Sequence, residues 1–543
     1  MNGVFIGIGL YWIFLIPYNN APDENTHFKY SVEFILKHHR LPVWGVDDLD
    51  QFRHSLSSYN HLPALNYLVA AGMAGAAQAC CGIEPYLGAR IASLAWGMLF
   101  LTFLYLALWS LTGRTALATI VTAAFAFIPQ VLFNCSYINA DAHSLAIAAL
   151  LAWALIRFWK KQSDLNLIIL GLSGGLLFSA KYNYFYYVPF IAAGLGYLAW
   201  RRVATWRDVG RIVLAVICGS ILISGFWYCR NTWLYGAPVP FLLSEQHLAN
   251  LGIVREAIPI NRGISLASLT WLIQQKFVPI TFASFFGLFG YLDVGFPPEI
   301  YTALFVIIMA LVILFLIELL ITRDRAVAVA GLWLAAFMLT ILALHVGTSL
   351  TIDPQPQGRY HFVSLVPMAV FLGWAAHRQR RLRKYALALM VVTGALLVQT
   401  VALFAKTYGG PMVFTVLWDG PRVHSAITTA AKPAEKNYIR VACAVNDSEE
   451  LTALRVDFPK NILARYRDFR VILDSPRGRQ TWREKSLPPP QYTDLRYDPT
   501  LNAFDTIGSN PSAAFTLPAT LGPLKAITLE MAIEHRRLRD PKF

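Results

Sequence analysis

Charge is what this sequence has least of. Only 14% of its 543 residues are Asp, Glu, Lys or Arg, against about 25% in a soluble globular domain. Hydrophobic residues make up 56% and the mean hydropathy is +0.47, which excludes an ordinary soluble enzyme. Cysteine is scarce as well. Its six residues (Cys80, Cys81, Cys135, Cys218, Cys229 and Cys443) show no CxxC spacing, so neither a zinc site nor a disulfide framework is indicated. No internal repeat is visible, which counts against a repeat-built transporter. The first apolar run, Val4 to Pro17, lacks a basic lead and a cleavage site and reads as a retained membrane helix.

Basic residues are present in excess, 46 Lys and Arg against 32 Asp and Glu. They sit in short clusters between long apolar runs, a pattern of membrane orientation, so no nucleic-acid partner is expected. A span needs about 20 residues. Such runs fall near 3–18, 89–111, 115–134, 141–158, 165–180, 184–200, 208–228, 301–322, 326–347, 361–376 and 385–405, about eleven in all. Clusters such as Arg157, Lys160 and Lys161, or Arg378, Arg380, Arg381, Arg383 and Lys384, occupy every second connection. That alternation makes these connections cytoplasmic and the others external.

The expected fold is therefore a multi-pass α-helical membrane domain over 1–405. Its long outer loops, 19–88 and 229–300, carry short apolar stretches (Ala64 to Ala77, Leu266 to Phe289) suited to helices lying on the membrane surface. Residues 406–543 have a different texture, with β-branched runs such as Tyr438 to Val445 and Ala526 to Ile533 separated by Pro- and Gly-bearing turns. They predict an external all-β domain, a β-sandwich of jelly-roll type, in which Trp482 could stack on sugar or fill the core.

Candidate chemistry gathers on the outer side. After the first span comes Pro22-Asp23-Glu24-Asn25-Thr26-His27, whose helical spacing lets the acids and the imidazole share a neighbourhood. The same residues also suit an ordinary helix N-terminus, so capping and catalysis both stand. Asp141, in Asn139-Ala140-Asp141, poses the same alternative at the next outer turn. Lys181 and Arg359 lie at outer span ends, where orientation does not require cations, and could snorkel or hold an anion. Arg90 and Arg230 could join that anion site or anchor helix ends. Tyr184, within Tyr182 to Tyr187, fits sugar stacking or an interfacial aromatic belt. The Asp47, Asp48, Asp50 pattern, with His38, His39, His54 and His61 in the same loop, allows a divalent cation or a plain polar loop.

Taken in order, Pro22-Asp23-Glu24 with His27, His61-Leu62-Pro63-Ala64-Leu65-Asn66-Tyr67, Ala89-Arg90-Ile91-Ala92-Ser93, Asn139-Ala140-Asp141, Ala180-Lys181 and Gln357-Gly358-Arg359-Tyr360 resemble the GT-C superfamily of integral-membrane glycosyltransferases, and among them the bacterial DUF2142 branch. The resemblance implies a polyprenyl-phosphate-linked sugar donor of undecaprenyl type and a glycan or lipid-linked glycan acceptor. It also implies action at the periplasmic face of a bacterial inner membrane, in envelope polysaccharide synthesis such as that of lipopolysaccharide or O-antigen. It makes Asp23 the general base with Glu24 its neighbour and Asp141 a second acid. Lys181, Arg359, Tyr360 and Arg90 become donor-phosphate contacts, and His27, His61, Tyr184 and Arg230 substrate contacts. The surface-helix proline pair of the superfamily is reduced here to Leu62-Pro63. Metal-independent inverting transfer is expected, with no required cofactor. The competing functions are a lipid-linked sugar flippase and a protein O-glycosyltransferase of the same superfamily.

Overall fold

The computed structural model describes residues 1–48, 59–240, 262–322, 324–351 and 354–409, and the strands between 412 and 538. They fall into two compact units, one of Met1–Phe14 with Asp23–Val401 and one of Leu15–Pro22 with Ala402–Phe543.

The first unit is helical. Six helices are long and apolar enough to cross a membrane: Pro85–Thr112, Asp141–Lys160, Pro298–Ile321, Arg325–Thr351, Gly358–Arg378 and Arg380–Tyr408. A seventh span results if Trp206–Ile223 and Gly225–Tyr235, bent by 62° at their break, count as one. Against the eleven expected, six or seven helices among the described residues are long and apolar enough to cross, and the other runs form shorter apolar helices. The run at 115–134 stops at Ala126, because Pro129 starts a new helix, Pro129–Asn134. The run at 184–200 opens as a tight 3-10 helix, Tyr182–Tyr186, which leaves only Tyr187–Trp200 as α-helix. Taken alone, at about 1.5 Å per residue, each of these α-helical pieces is shorter than a hydrocarbon core about 30 Å thick. Asn2–Leu15 and Asp164–Leu177 have 14 residues each.

Helices here approach through small residues. A Cβ on Gly219 would lie 2.0 Å from the carbonyl oxygen of Gly171, so Trp206–Ile223 and Asp164–Leu177 meet backbone to backbone. Ser224 Oγ then donates to Gly175 O at 2.9 Å and fixes the bend. The long helices also set a polarity. Asp141 and Lys160 occupy opposite ends of one helix, about 30 Å apart by its rise, and Arg359 and Arg378 occupy opposite ends of the segment Gly358–Arg378.

The second unit holds two antiparallel sheets. One runs Leu495–Asp498, Ala503–Thr506, Ile462–Ser475, Ala526–Leu538, Tyr438–Ala444, with Gly478–Arg483 forming a hairpin on Ile462–Ser475. The other runs His424–Ala431, Met412–Asp419, Ala453–Asp457, Ser512–Thr516, Gln491–Thr493. Leu454 and Val456 are buried, and so are the consecutive runs Val471, Ile472, Leu473 and Ile527, Thr528, Leu529, together with Met531. Two antiparallel sheets, of six and five strands among the described residues, agree with an all-β domain. The side chain of Trp482 lies outside the described ones.

Candidate functional site

Asp23 opens the site. It adopts a left-handed backbone, φ 62° and ψ 7°, a region open to Asp but costly for most residues with a Cβ. The short helix Glu24–His27 follows and runs into a π-helical turn, Phe28–Glu33. Such turns cost regular hydrogen bonding and recur at functional sites. Asp23 stands at the N-cap position, but its side chain makes no cap bond to this helix. Its Oδ2 instead accepts from Arg359 Nη2 at 3.0 Å.

Asp141 resolves in the same direction. At the start of Asp141–Lys160 the capping bonds go to Asn139 Oδ1, which accepts from the backbone N–H of Asp141 at 2.7 Å and of Ala142 at 3.2 Å. The Asp141 carboxylate is thereby released to Lys181, whose Nζ lies 3.1 Å from its Oδ1. Ser144, one turn along the same helix, accepts the backbone N–H of Lys181 at 2.9 Å. One helix therefore supplies the acid and seats its cation.

Arg359 sits in the 3-10 turn Gly358–Ser364 and is 6% exposed. Gly358 lets this turn pack on the helix Phe277–Phe286, since a Cβ there would come within 2.2 Å of Phe285 N. Ser284 Oγ accepts the Gly358 N–H at 2.7 Å. The guanidinium donates through Nη1 to Tyr137 Oη at 3.1 Å and through Nη2 to Asp23. Its Nε is buried with no hydrogen-bond partner among the described residues. Both Asp23 and Asp141 act electrostatically on Arg359, so the two acid–cation pairs share one neighbourhood. Tyr360 adjoins them, with Lys181 Nζ 5.3 Å from its ring centre.

Electrostatics differ between the nearby groups. Burial would raise the Asp23 pKa, but Arg359, with help from His27 and Tyr59, holds it below the ordinary 3.8. His27 is pushed by burial down to about 3, against the pull of Asp23, and is neutral at physiological pH. It stacks on Tyr59 at 4.0 Å and its Nδ1 lies 2.7 Å from Tyr67 Oη.

The remaining expected residues divide. Glu24 and Arg90 are both fully buried and pair through two bonds, Nε to Oε1 at 2.6 Å and Nη2 to Oε2 at 2.7 Å. Arg90 Nη1 also donates to Ile13 O, and the N–H of Ile138 points at Glu24 Oε1. This pair ties together the segments that carry Ile13, Glu24, Arg90 and Ile138. Tyr184 is fully buried within the electrostatic reach of Asp141, with its hydroxyl unpartnered among the described residues. His61 packs against Trp44, Tyr59 and Tyr182, and its carbonyl accepts from Tyr182 Oη. Arg230 is bonded instead to Pro42 O at 2.7 Å and stacks on Trp227.

The acidic pattern in the first loop proves to be bracing. Asp47 holds Arg40 and the Val43 N–H, and Asp48 holds Gly45 N–H and Asn60. Asp50 and His54 lie outside the described residues. Among the described residues no three His, Cys, Asp or Glu side chains converge as a metal cluster. The positive charge facing the acids is that of Lys181 and Arg359.

Sequence reasoning missed Tyr137, Tyr59 and Tyr67. Tyr137 has a signal, its place two residues before the Asn139 cap. The other two are joined to the site only by tertiary packing.

A bundle of long apolar helices with paired acids and cations at one end defines a multi-pass membrane protein with a polar site at a helix-end surface. Residues 79–228 match the family model described as dolichyl-phosphate-mannose-protein mannosyltransferase. That stretch carries Arg90, Asp141 and Lys181. Among solved structures, ArnT from Cupriavidus metallidurans in the apo state is similar at 14% identity and a TM-score of 0.40, over 74% of this chain and 64% of that one. The arabinosyltransferase EmbB from Mycobacterium smegmatis is similar at 10% identity and a TM-score of 0.34, over 99% of this chain and 64% of that one. The chain thus spans 64% of the length of each. No curated protein matches it.

Proposed function

We propose that the protein is an inverting membrane glycosyltransferase of GT-C type that takes its sugar from a polyprenyl-phosphate donor. The observation that carries this reading is the pair of ion pairs, Asp23 with Arg359 and Asp141 with Lys181, assembled from four separate segments. A sugar hydroxyl becomes a nucleophile when a carboxylate takes its proton, and a lipid-phosphate leaving group needs fixed positive charge. Both requirements meet here, and one of the two pairs, Asp141 with Lys181, lies within the stretch that matches the dolichyl-phosphate-mannose-protein mannosyltransferase model.

In this reading Asp23 is the base. Lys181 and Arg359 receive the phosphate, with Tyr360 beside them, and Asp141 holds Lys181 in place. Tyr184, whose buried hydroxyl has no partner among the described residues, is the substrate contact of this reading. Glu24 and Arg90 position the loop and do not touch substrate, since each occupies the other through two hydrogen bonds. The cationic ends of the long helices lie opposite the site, so the positive-inside rule supports an external, periplasmic active face in a bacterial inner membrane. The acceptor is a glycan or lipid-linked glycan of the envelope, and residues 406–543 form a separate external domain that could bind it.

The test is direct. Purified protein in nanodiscs receives a panel of polyprenyl-phosphate sugars together with envelope glycan acceptors. Donor consumption that disappears in Asp23→Asn supports the assignment; no consumption of any donor, or full transfer by that variant, overturns it.

A further inference from the structure

Two arginines of this unit face a carboxylate, and they do so differently. Arg90 uses the Nε and Nη2 edge of its guanidinium in full, one Glu24 oxygen on each nitrogen. Arg359 meets Asp23 through Nη2 alone, at 3.0 Å, and the Nε on the same edge is buried without a partner among the described residues. A buried N–H without an acceptor costs about 1–3 kcal/mol. An oxyanion with two oxygens in one plane satisfies that edge completely, as phosphate does. Asp23 is also the more exposed member of its pair, 36% against 7% for Arg359, and is held besides by Tyr59, so it can leave Nη2 and keep a partner.

We propose that the donor's phosphate is itself the activator of Asp23: it takes the Nε and Nη2 edge of Arg359, displaces the carboxylate from Nη2, and leaves Asp23 free to accept a proton. This rests on the lipid-phosphate reading given above. Without donor, the Asp23 carboxylate is engaged by a cation and is a weak base. With donor bound, the positive charge of Arg359 is neutralised where Asp23 meets it. The groups facing Asp23 are then His27, Tyr59, Tyr67 and Tyr137, with the Asp141–Lys181 pair beyond them. Of these only Lys181 carries a positive charge at neutral pH, and Asp141 is paired with it, so the carboxylate regains basicity.

Transfer then balances. The acceptor O–H bond breaks, its proton goes to Asp23, and the oxygen bonds the anomeric carbon. The bond from that carbon to the phosphate oxygen breaks, and its electron pair stays on the phosphate held by Arg359. Tyr137, still accepting from Nη1, keeps the guanidinium in place through the exchange.

The experiment uses the full chain in nanodiscs and infrared difference spectroscopy of the protonated carboxyl band. The Asp23 band is assigned by its loss in Asp23→Asn and its displacement in Asp23→Glu. Undecaprenyl monophosphate is the probe, and its binding is read independently from its phosphorus resonance. The expected result is a rise of one pH unit or more in the Asp23 midpoint when the lipid binds, and no rise with inorganic phosphate. A bound lipid with an unchanged midpoint overturns this inference and leaves the lipid-phosphate reading standing. An equal rise with inorganic phosphate removes the lipid as the activator. Absence of lipid binding overturns both.

Discussion

Asp23 and Arg359 are 336 positions apart in the chain and 3.0 Å apart in space. Neither is held there by chance packing. Asp23 sits in a left-handed turn, and Arg359 follows a glycine pressed against the backbone of Phe285. Asn at position 23 keeps an acceptor for Nη2 but cannot take a proton. Asp23→Asn is expected to lower transfer by about 10²- to 10⁴-fold with near-normal melting, measured by initial rates beside thermal unfolding in detergent.

Glu24 behaves in the opposite way. Removing one partner of a fully buried, doubly bonded pair leaves an uncompensated charge, at a cost of about 3–5 kcal/mol. Glu24→Ala is expected to reduce folded yield and melting temperature sharply. Normal melting combined with lost transfer would instead make Glu24 a participant in the chemistry.

Gly358→Ala tests how Arg359 is placed. The added methyl meets Phe285 N at 2.2 Å, Phe285 Cα at 2.4 Å and Thr281 O at 2.6 Å, all backbone atoms with little freedom to yield. The turn must shift and carry Arg359 with it. Transfer is expected to fall at least tenfold, since small misplacements are costly at a reacting centre, and donor KM to rise. Unchanged donor KM would disconnect this contact from phosphate binding.

His27 gives the stability a pH dependence. Its folded pKa of about 3 lies below the ordinary 6.5, so the unfolded chain binds the proton more readily. The contribution is therefore fully present above pH 6.5 and is lost as pH falls from 6.5 toward 3. At pH 5 the loss is about 2 kcal/mol, from about 1.4 kcal/mol per unit. His27→Gln is expected to flatten this limb in unfolding measured between pH 5 and 7.5. Asp23 adds a second fall only below 3.8, since its folded pKa is depressed.

Much of the candidate site was legible in the sequence, and the reason is chemical. Asp23, Asp141, Lys181 and Arg359 are ionisable residues in a chain poor in charge, at the ends of apolar runs, where an ion has few structural uses. Their partners were less visible. Which acid meets which cation depends on helix packing, and Tyr59 reaches the site through stacking that leaves no spacing signal. Glu24 looked equivalent to Asp23 because adjacent residues share a neighbourhood in sequence, yet they face different ways: one lies on Arg90 and the other on Arg359. The number of long spans was less visible for a related reason. Hydropathy reads apolar runs without seeing the breaks within them, such as Pro129 or the 62° bend after Ile223.

The central claim is that Asp23 is the base for transfer from a lipid-phosphate sugar. It is tested most directly by single-turnover transfer with a competent polyprenyl-phosphate sugar at saturating donor, comparing wild type with Asp23→Asn across pH 5 to 9. The account predicts donor binding within a few-fold of wild type and a rate at least 10²-fold lower throughout. A variant that turns over at the wild-type rate while binding the same donor would contradict it.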